Sequence, residues 1–201
     1  MNAPVTADQI ARINTVALRS PILSPILDRW SAVSLPDCWF VAGALAQTFW
    51  NNAFGLPLAH GIADVDIVYF DADDLSEEAE LRHSRRIRDL FAELPLRIDV
   101  KNEARVHLWF EAKFGQTIPP YVSTADAIST FPTTATAIGI QRTMTQLRLV
   151  APYGLDDLLD LIVRPNKKQI TRSVYEAKVA RWLTLWPRLH VLSWDLETAI
   201  S

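Results

Sequence analysis

The stretch Ala63-Asp64-Val65-Asp66-Ile67-Val68-Tyr69-Phe70 decides how this chain is read. Its β-branched and aromatic residues predict a strand. Successive strand side chains point to opposite faces, so Asp64 and Asp66 share one face, their α-carbons about 6.5–7 Å apart. Val65, Ile67 and Tyr69 take the other face, toward a core. Aspartate is a poor strand former, and two carboxylates this close repel and raise the pKa of one partner. A divalent cation between them would offset that cost. A strand end with two hydrated carboxylates is the other reading of so short a motif.

Two flanking stretches favour the cation. Downstream, Leu96-Arg97-Ile98-Asp99-Val100 alternates with period 2 and predicts a second strand. Leu96, Ile98 and Val100 form its buried set, which leaves Asp99 on the opposite face beside Arg97 and Lys101. If the two strands are neighbours with a common outer face, three carboxylates converge. Three hard oxygen donors suit magnesium, which completes its octahedron with water and substrate phosphates. Upstream, the apolar run Cys38-Trp39-Phe40-Val41-Ala42 predicts a buried strand, followed by Gly43 and a helix over 44–54 that Gly55 can end. A strand that turns at a glycine into a helix presents free N–H groups at the helix start, and these attract phosphate.

The rest of the chain supplies the scaffold. Thr6-Ala7-Asp8-Gln9 is a capping box for a helix over 7–18. Ser24-Pro25 opens a second helix that carries Ile26, Leu27, Trp30 and Val33. A helix from Asp74-Leu75-Ser76-Glu77 runs to about Leu94, acidic early and basic late, as the helix dipole favours. Further helices are predicted over 103–114, after the Ser123 cap, over 155–163 with Asp156 and Asp157 as caps, and over 169–186. The segments 134–143 and 146–150 read as a hairpin or as two neighbouring strands. Strands and helices mix without strict βαβ repetition. The fold class is therefore α+β, a small mixed sheet with helices mainly on one face.

Composition sets the outer bounds. The chain has 201 residues, 49% hydrophobic and 21% charged. That length and balance predict a folded single domain over 1–201. It divides into N-terminal helices (1–35), a catalytic-type core (36–150) and a C-terminal helical part (151–201). The net charge of −3 gives no electrostatic footprint for nucleic acid. The single Cys38 excludes an internal disulfide and a cysteine-built zinc site, and suits a reducing cytoplasm. No run of 18 apolar residues predicts a membrane span, and the N-terminus reads as carrying no export signal. Phosphate-loop, dinucleotide and serine-hydrolase motifs do not occur.

Gly43-Ala44, then Asp64-x-Asp66, then Asp99 on a later strand resembles the signature of the DNA polymerase beta-like nucleotidyltransferase superfamily. The stretches AGALAQTFWN, DVDIVYFD, DVKNEARVH, APYGLDDLL and VRPN, in that order, are similar to a small bacterial nucleotidyltransferase-like family. The similarity spans roughly Cys38 to Trp186. It implies transfer of a nucleoside monophosphate from a triphosphate such as ATP to a hydroxyl acceptor. Asp64 and Asp66 would bind both magnesium ions. Asp99 would help to hold the catalytic one and assist deprotonation of the attacking hydroxyl. Gly43 and the start of the next helix, with Ala44 and Gln47, would cradle the distal phosphates, and Lys101 and Arg105 are further candidate nucleotide contacts. This sequence departs from the superfamily pattern at Ala44, where a hydroxyl-bearing serine or a second glycine is usual. The smaller family has arginine and asparagine where Ala46 and Gln47 stand. A catalytically inactive nucleotide- or protein-binding module that keeps the fold is the alternative. His107 is read either as an acid/base group or as a hydrogen-bonded, partly buried side chain. Arg164, Lys167 and Lys168 are read either as anion contacts or as a solvated helix end.

Overall fold

The chain was studied as a computed structural model that describes residues 5–144 and 146–196. In chain order the elements are α1 (Ala7–Arg19), α2 (Leu23–Asp28), α3 (Trp30–Val33), β1 (Trp39–Val41), α4 (Gly43–Phe54), β2 (Asp64–Tyr69), α5 (Glu77–Leu90), β3 (Arg97–Asn102), α6 (Val106–Phe114) and α7 (Thr124–Ile128). There follow β4 (Gly139–Arg142), β5 (Leu147–Val150), α8 (Asp156–Leu159), β6 (Ile162–Val163), α9 (Arg172–Leu185) and β7 (His190–Val191).

The main sheet has the strand order β3-β2-β1-β4-β5. β2 and β3 are parallel, and the other pairs are antiparallel. The crossover from β2 to β3 runs through α5, as a parallel pair requires. One face carries Val65, Ile67 and Tyr69 of β2 with Ile98 and Val100 of β3 into the larger core, where α1, α2, α4 and α9 also bury their apolar residues. The other face holds a smaller cluster, in which Trp39, Val41 and Val68 meet Ile128 of α7. The α+β class with helices mainly on one face is thus as the sequence predicts.

Local signals explain most boundaries. Thr6 closes the capping box with Gln9, the two reciprocal bonds measuring 2.9 and 3.2 Å. Gly55 ends α4 in the left-handed conformation with φ 68°, which glycine adopts without steric cost. At Gly139 a side chain would run into Ile128 and Val41, so the missing Cβ lets α7 lie against the sheet.

Several boundaries differ from the sequence reading. The helix expected from Asp74 to about Leu94 is capped by Ser76 and ends at Leu90, and the one expected over 169–186 starts at Arg172 after the Thr171 cap. The helix expected from Ser24-Pro25 starts at Leu23 and breaks at Arg29, because the Ser20 hydroxyl accepts from the N–H groups of Ile22 and Leu23. The helix predicted over 155–163 stops after one turn at Leu159, and Ile162–Val163 pairs as a strand with His190–Val191. Asp156 and Asp157 do not cap it: Leu155 is the cap residue without a side-chain bond. Asp157 instead takes a bidentate contact from Arg164 at 2.8 and 3.1 Å. The segment 134–136 is a 3-10 turn ahead of β4.

Candidate active site

Sheet register assembles the acidic face. β2 and β3 run in parallel with Asp66 opposite Asp99 and Asp64 opposite Arg97. Side chains at paired positions of neighbouring strands project to the same face, so Asp64, Asp66 and Asp99 share one side of the sheet. Val41, the last residue of β1, pairs with Asp66. The Ala42-Gly43 turn that follows lies at the Asp64 end of β2.

The three carboxylates do not have equal surroundings. The Arg97 guanidinium nitrogen Nη2 lies 3.1 Å from Asp64 Oδ2 and 2.8 Å from Asp99 Oδ2. Arg88 Nη2 stands 3.7 Å from the other Asp99 oxygen. Asp66 has no such partner among the described residues: burial first, then the charges of Asp64 and Asp99, push its pKa up to about 6 against the opposing pull of Lys178 and Arg97. The ammonium of Lys178, on α9, is itself pulled down by burial and by Arg181, with Asp66 and Asp64 acting the other way. The face thus carries an excess of negative charge that the protein neutralises only in part.

Among the described residues no three Asp, Glu, His or Cys side chains form a ready-made metal cluster. The expected convergence of three carboxylates is met in register but not in side-chain aim, because Asp64 and Asp99 turn onto Arg97. The donor chemistry still suits magnesium. All three groups are hard oxygen donors on one face, and the field that raises the proton affinity of Asp66 is the field that a divalent cation would relieve.

The side expected to meet phosphate is built from backbone. No side chain caps α4, and no acceptor among the described residues takes the N–H groups of Gly43, Ala44 or Leu45. Ala42, just before the turn, has φ 62° and ψ −130°, a region that side-chain-bearing residues rarely occupy and that costs on the order of 1–3 kcal/mol. A Cβ on Gly43 would approach the Gln47 amide nitrogen to 3.4 Å. The Gln47 amide, one helical turn on, therefore lies against Gly43.

Not every expected residue joins the site. Lys101 lines the cleft beside Asp66 and Asp99, with its ammonium 3.2 Å from Glu80. Arg105 is held elsewhere: its Nη1 donates to Glu80 at 3.1 Å and its Nε to the Leu75 carbonyl at 3.2 Å, and its side chain is only 11% exposed. His107 has a buried Nδ1 without a hydrogen-bond partner among the described residues. Arg164 is locked to Asp157. Lys168 donates to the Ser129 hydroxyl at 3.2 Å.

Three contributors escape a reading of the sequence. Arg97 is visible only as a neighbour of Asp99, and its bridging role depends on register. Lys178 stands four residues after Val174 on the helix face that adjoins the Tyr175, Val179 and Trp182 stripe; a lysine beside an apolar stripe was the signal available. Glu103, only 7% exposed, sits at the wall of a cavity of about 490 Å³ that Asp66, Asp99 and Lys101 also line. Burial, then the charges of Asp66 and Glu80, push its pKa up to about 8, with Lys101 opposing.

Comparison with known proteins agrees with this architecture. No curated protein matches the sequence. A solved structure, whose NMR analysis describes a CCA-adding enzyme head domain, superposes with a TM-score of 0.74 at 26% sequence identity, over 96% of this chain and 98% of that one. Residues 28–191 match the nucleotidyltransferase family, a span that holds the phosphate turn and all three aspartates. The chain belongs to that nucleotidyltransferase family.

Proposed function

We propose that the protein transfers a nucleoside monophosphate from a nucleoside triphosphate to a hydroxyl acceptor, with magnesium held by Asp64, Asp66 and Asp99. The observation that carries this reading is the only partly compensated charge at Asp66, raised in proton affinity by burial and by its two acidic neighbours, on the strand beside an uncapped helix start. Magnesium, when bound, supplies charge neutralisation at the triphosphate and at the leaving oxygen.

The chain's own groups do the rest. The N–H groups of Gly43, Ala44 and Leu45 and the Gln47 amide bind the distal phosphates, helped by the α4 dipole. Ala44 offers its N–H but no hydroxyl, so this cradle relies on backbone. Arg97 gives up Asp64 and Asp99 as the site fills and turns its charge to phosphate, while Lys178 lowers the negative field around Asp66. Asp99 takes the proton of the acceptor hydroxyl. The hydroxyl oxygen bonds to the α-phosphorus. The bond from that phosphorus to the bridging oxygen breaks, and pyrophosphate leaves with the electron pair.

The direct test is pyrophosphate release and label transfer with a panel of triphosphates, wild type against Asp66→Ala. Loss of at least about 100-fold is expected, the scale of removing a central electrostatic group; full activity in the variant would end the assignment. Arg97 already bridges two of the three carboxylates, which favours a second reading, a module that binds nucleotide or protein without turnover. That reading predicts no pyrophosphate release with any triphosphate.

A further inference from the structure

The cavity of about 490 Å³ beside the carboxylates is not explained by the triphosphate. Its walls are α6, the segment 130–132 and the first turns of α9. Most of the lining is apolar, with Trp109, Phe110, Phe131 and Val174 among its residues. At one end it reaches Asp66 and Asp99. Within this apolar wall sits Glu103, more than nine-tenths buried, and no described residue hydrogen-bonds its carboxyl. A buried carboxyl without a partner costs free energy unless something supplies one.

Position says which substrate the cavity serves. The strand order β3-β2-β1 puts the phosphate turn, after β1, on one flank of Asp66. Asp99, Lys101 and Glu103, on and after β3, lie on the other. Displacement at phosphorus is in line, so the attacking hydroxyl enters opposite the departing pyrophosphate. With pyrophosphate on the α4 side, the hydroxyl comes from the cavity side.

We infer that this cavity is the acceptor site, and that it takes a compact, uncharged, aromatic alcohol whose ring lies against Trp109, Phe110 and Phe131 and whose second polar group hydrogen-bonds Glu103. The inference rests on the transferase reading above. Lys101 is already paired with Glu80, and burial lets Glu103 keep its proton at neutral pH, which leaves Asp66 and Asp99 against Lys113 and Lys178 along the cavity. A net charge on the ligand would therefore find no matching excess. The volume of about 490 Å³ admits a small molecule and excludes a folded macromolecule, so a polymer could offer only a terminal group.

The test is ligand-observed NMR on the full chain without metal or nucleotide, with tyrosol as the probe and ethylbenzene as its counterpart without hydroxyls. Tyrosol is expected to bind wild type, and to bind Glu103→Leu about tenfold more weakly, as the loss of one buried hydrogen bond implies. Ethylbenzene should not discriminate between the two proteins. Val174→Trp, which fills the cavity from the α9 side, should abolish binding of both. Magnesium-dependent binding of a non-hydrolysable triphosphate should survive in both variants, so failure of the transferase reading would show separately as no triphosphate binding in wild type. Absence of tyrosol binding to wild type, or equal binding to Val174→Trp, would overturn the inference. So would loss of triphosphate binding in folded Val174→Trp, which would make the cavity the base pocket of the nucleotide.

Discussion

Asp66 is a carboxylate that the fold holds at a cost. In the metal-free protein its pKa lies near 6, against about 4 for an ordinary aspartate. The folded state therefore binds this proton more tightly than the unfolded chain. Below about pH 4 both states are protonated and there is no penalty; the penalty grows as pH rises to 6 and is complete above it. Asp66→Asn should accordingly be more stable than wild type at pH 7.5, on the order of 1–3 kcal/mol, with the difference shrinking toward zero at pH 4. Thermal melts across that range measure it, and a difference independent of pH would contradict the electrostatic origin. Arg97 is the second residue with a readable signature. Its guanidinium competes with any cation for Asp64 and Asp99. Arg97→Ala should tighten manganese binding several-fold, by roughly the 1 kcal/mol scale of an exposed ion pair, as read by the EPR signal of free manganese. Unchanged or weaker binding would mean that the carboxylates do not share the ion.

Among the elements, the β3–α6 junction carries the most buried charge. Glu80 of α5 accepts from the Asn102 N–H at 2.8 Å and from Arg105 and Lys101 at 3.1 and 3.2 Å. Asn102 in turn accepts from the Asp71 N–H and donates to the carbonyls of Asp71 and Asp74. This network fixes the end of β3 and so the position of Asp99 and Glu103. Glu80→Ala strands the buried Arg105 and should cost about 3–5 kcal/mol in urea denaturation; a loss below 1 kcal/mol would show that water replaces the carboxylate. The same junction marks what sequence could tell. The period-2 alternation of 96–100 placed Asp99 on the outer face, and the Asp66–Asp99 register agrees. Arg105 stands six residues after Asp99 in the sequence, near the start of the next helix, and reads equally well as a phosphate contact. Only the crossover of α5, which brings Glu80 against it, shows where its charge is used. Likewise the strand Ile162–Val163 was illegible, because two residues adopt strand pairing only when His190–Val191 arrives from beyond α9.

Across the whole molecule, the N-terminal helices, the sheet and α9 meet in one apolar cluster that runs from Ile13 to Leu189. Asn51 is a polar link inside it. It donates to the carbonyls of Leu58 and His60 at 3.1 and 2.8 Å and accepts from the Trp186 indole at 2.7 Å. Trp50 packs edge-on against both Trp182 and Trp186. The single domain expected over 1–201 predicts one cooperative unfolding transition. Asn51→Ala should lower its midpoint by the equivalent of roughly 2–4 kcal/mol, two or three unmet hydrogen bonds, without splitting it. Two transitions in calorimetry would mean that the C-terminal part folds as a separate unit.

The cluster also positions Lys178, whose helix is held by Tyr175, Val179 and Trp182, over the acidic face. The proposed division of labour across the molecule is between a backbone phosphate cradle on one flank of Asp66 and a carboxylate-lined cavity on the other. Isothermal calorimetry of a non-hydrolysable nucleoside triphosphate, with and without magnesium, tests that arrangement most directly. Binding that requires magnesium and is lost in Asp64→Ala and in Asp66→Asn, both still folded, is the predicted result. Binding of equal strength without magnesium, or undiminished in either variant, would contradict it.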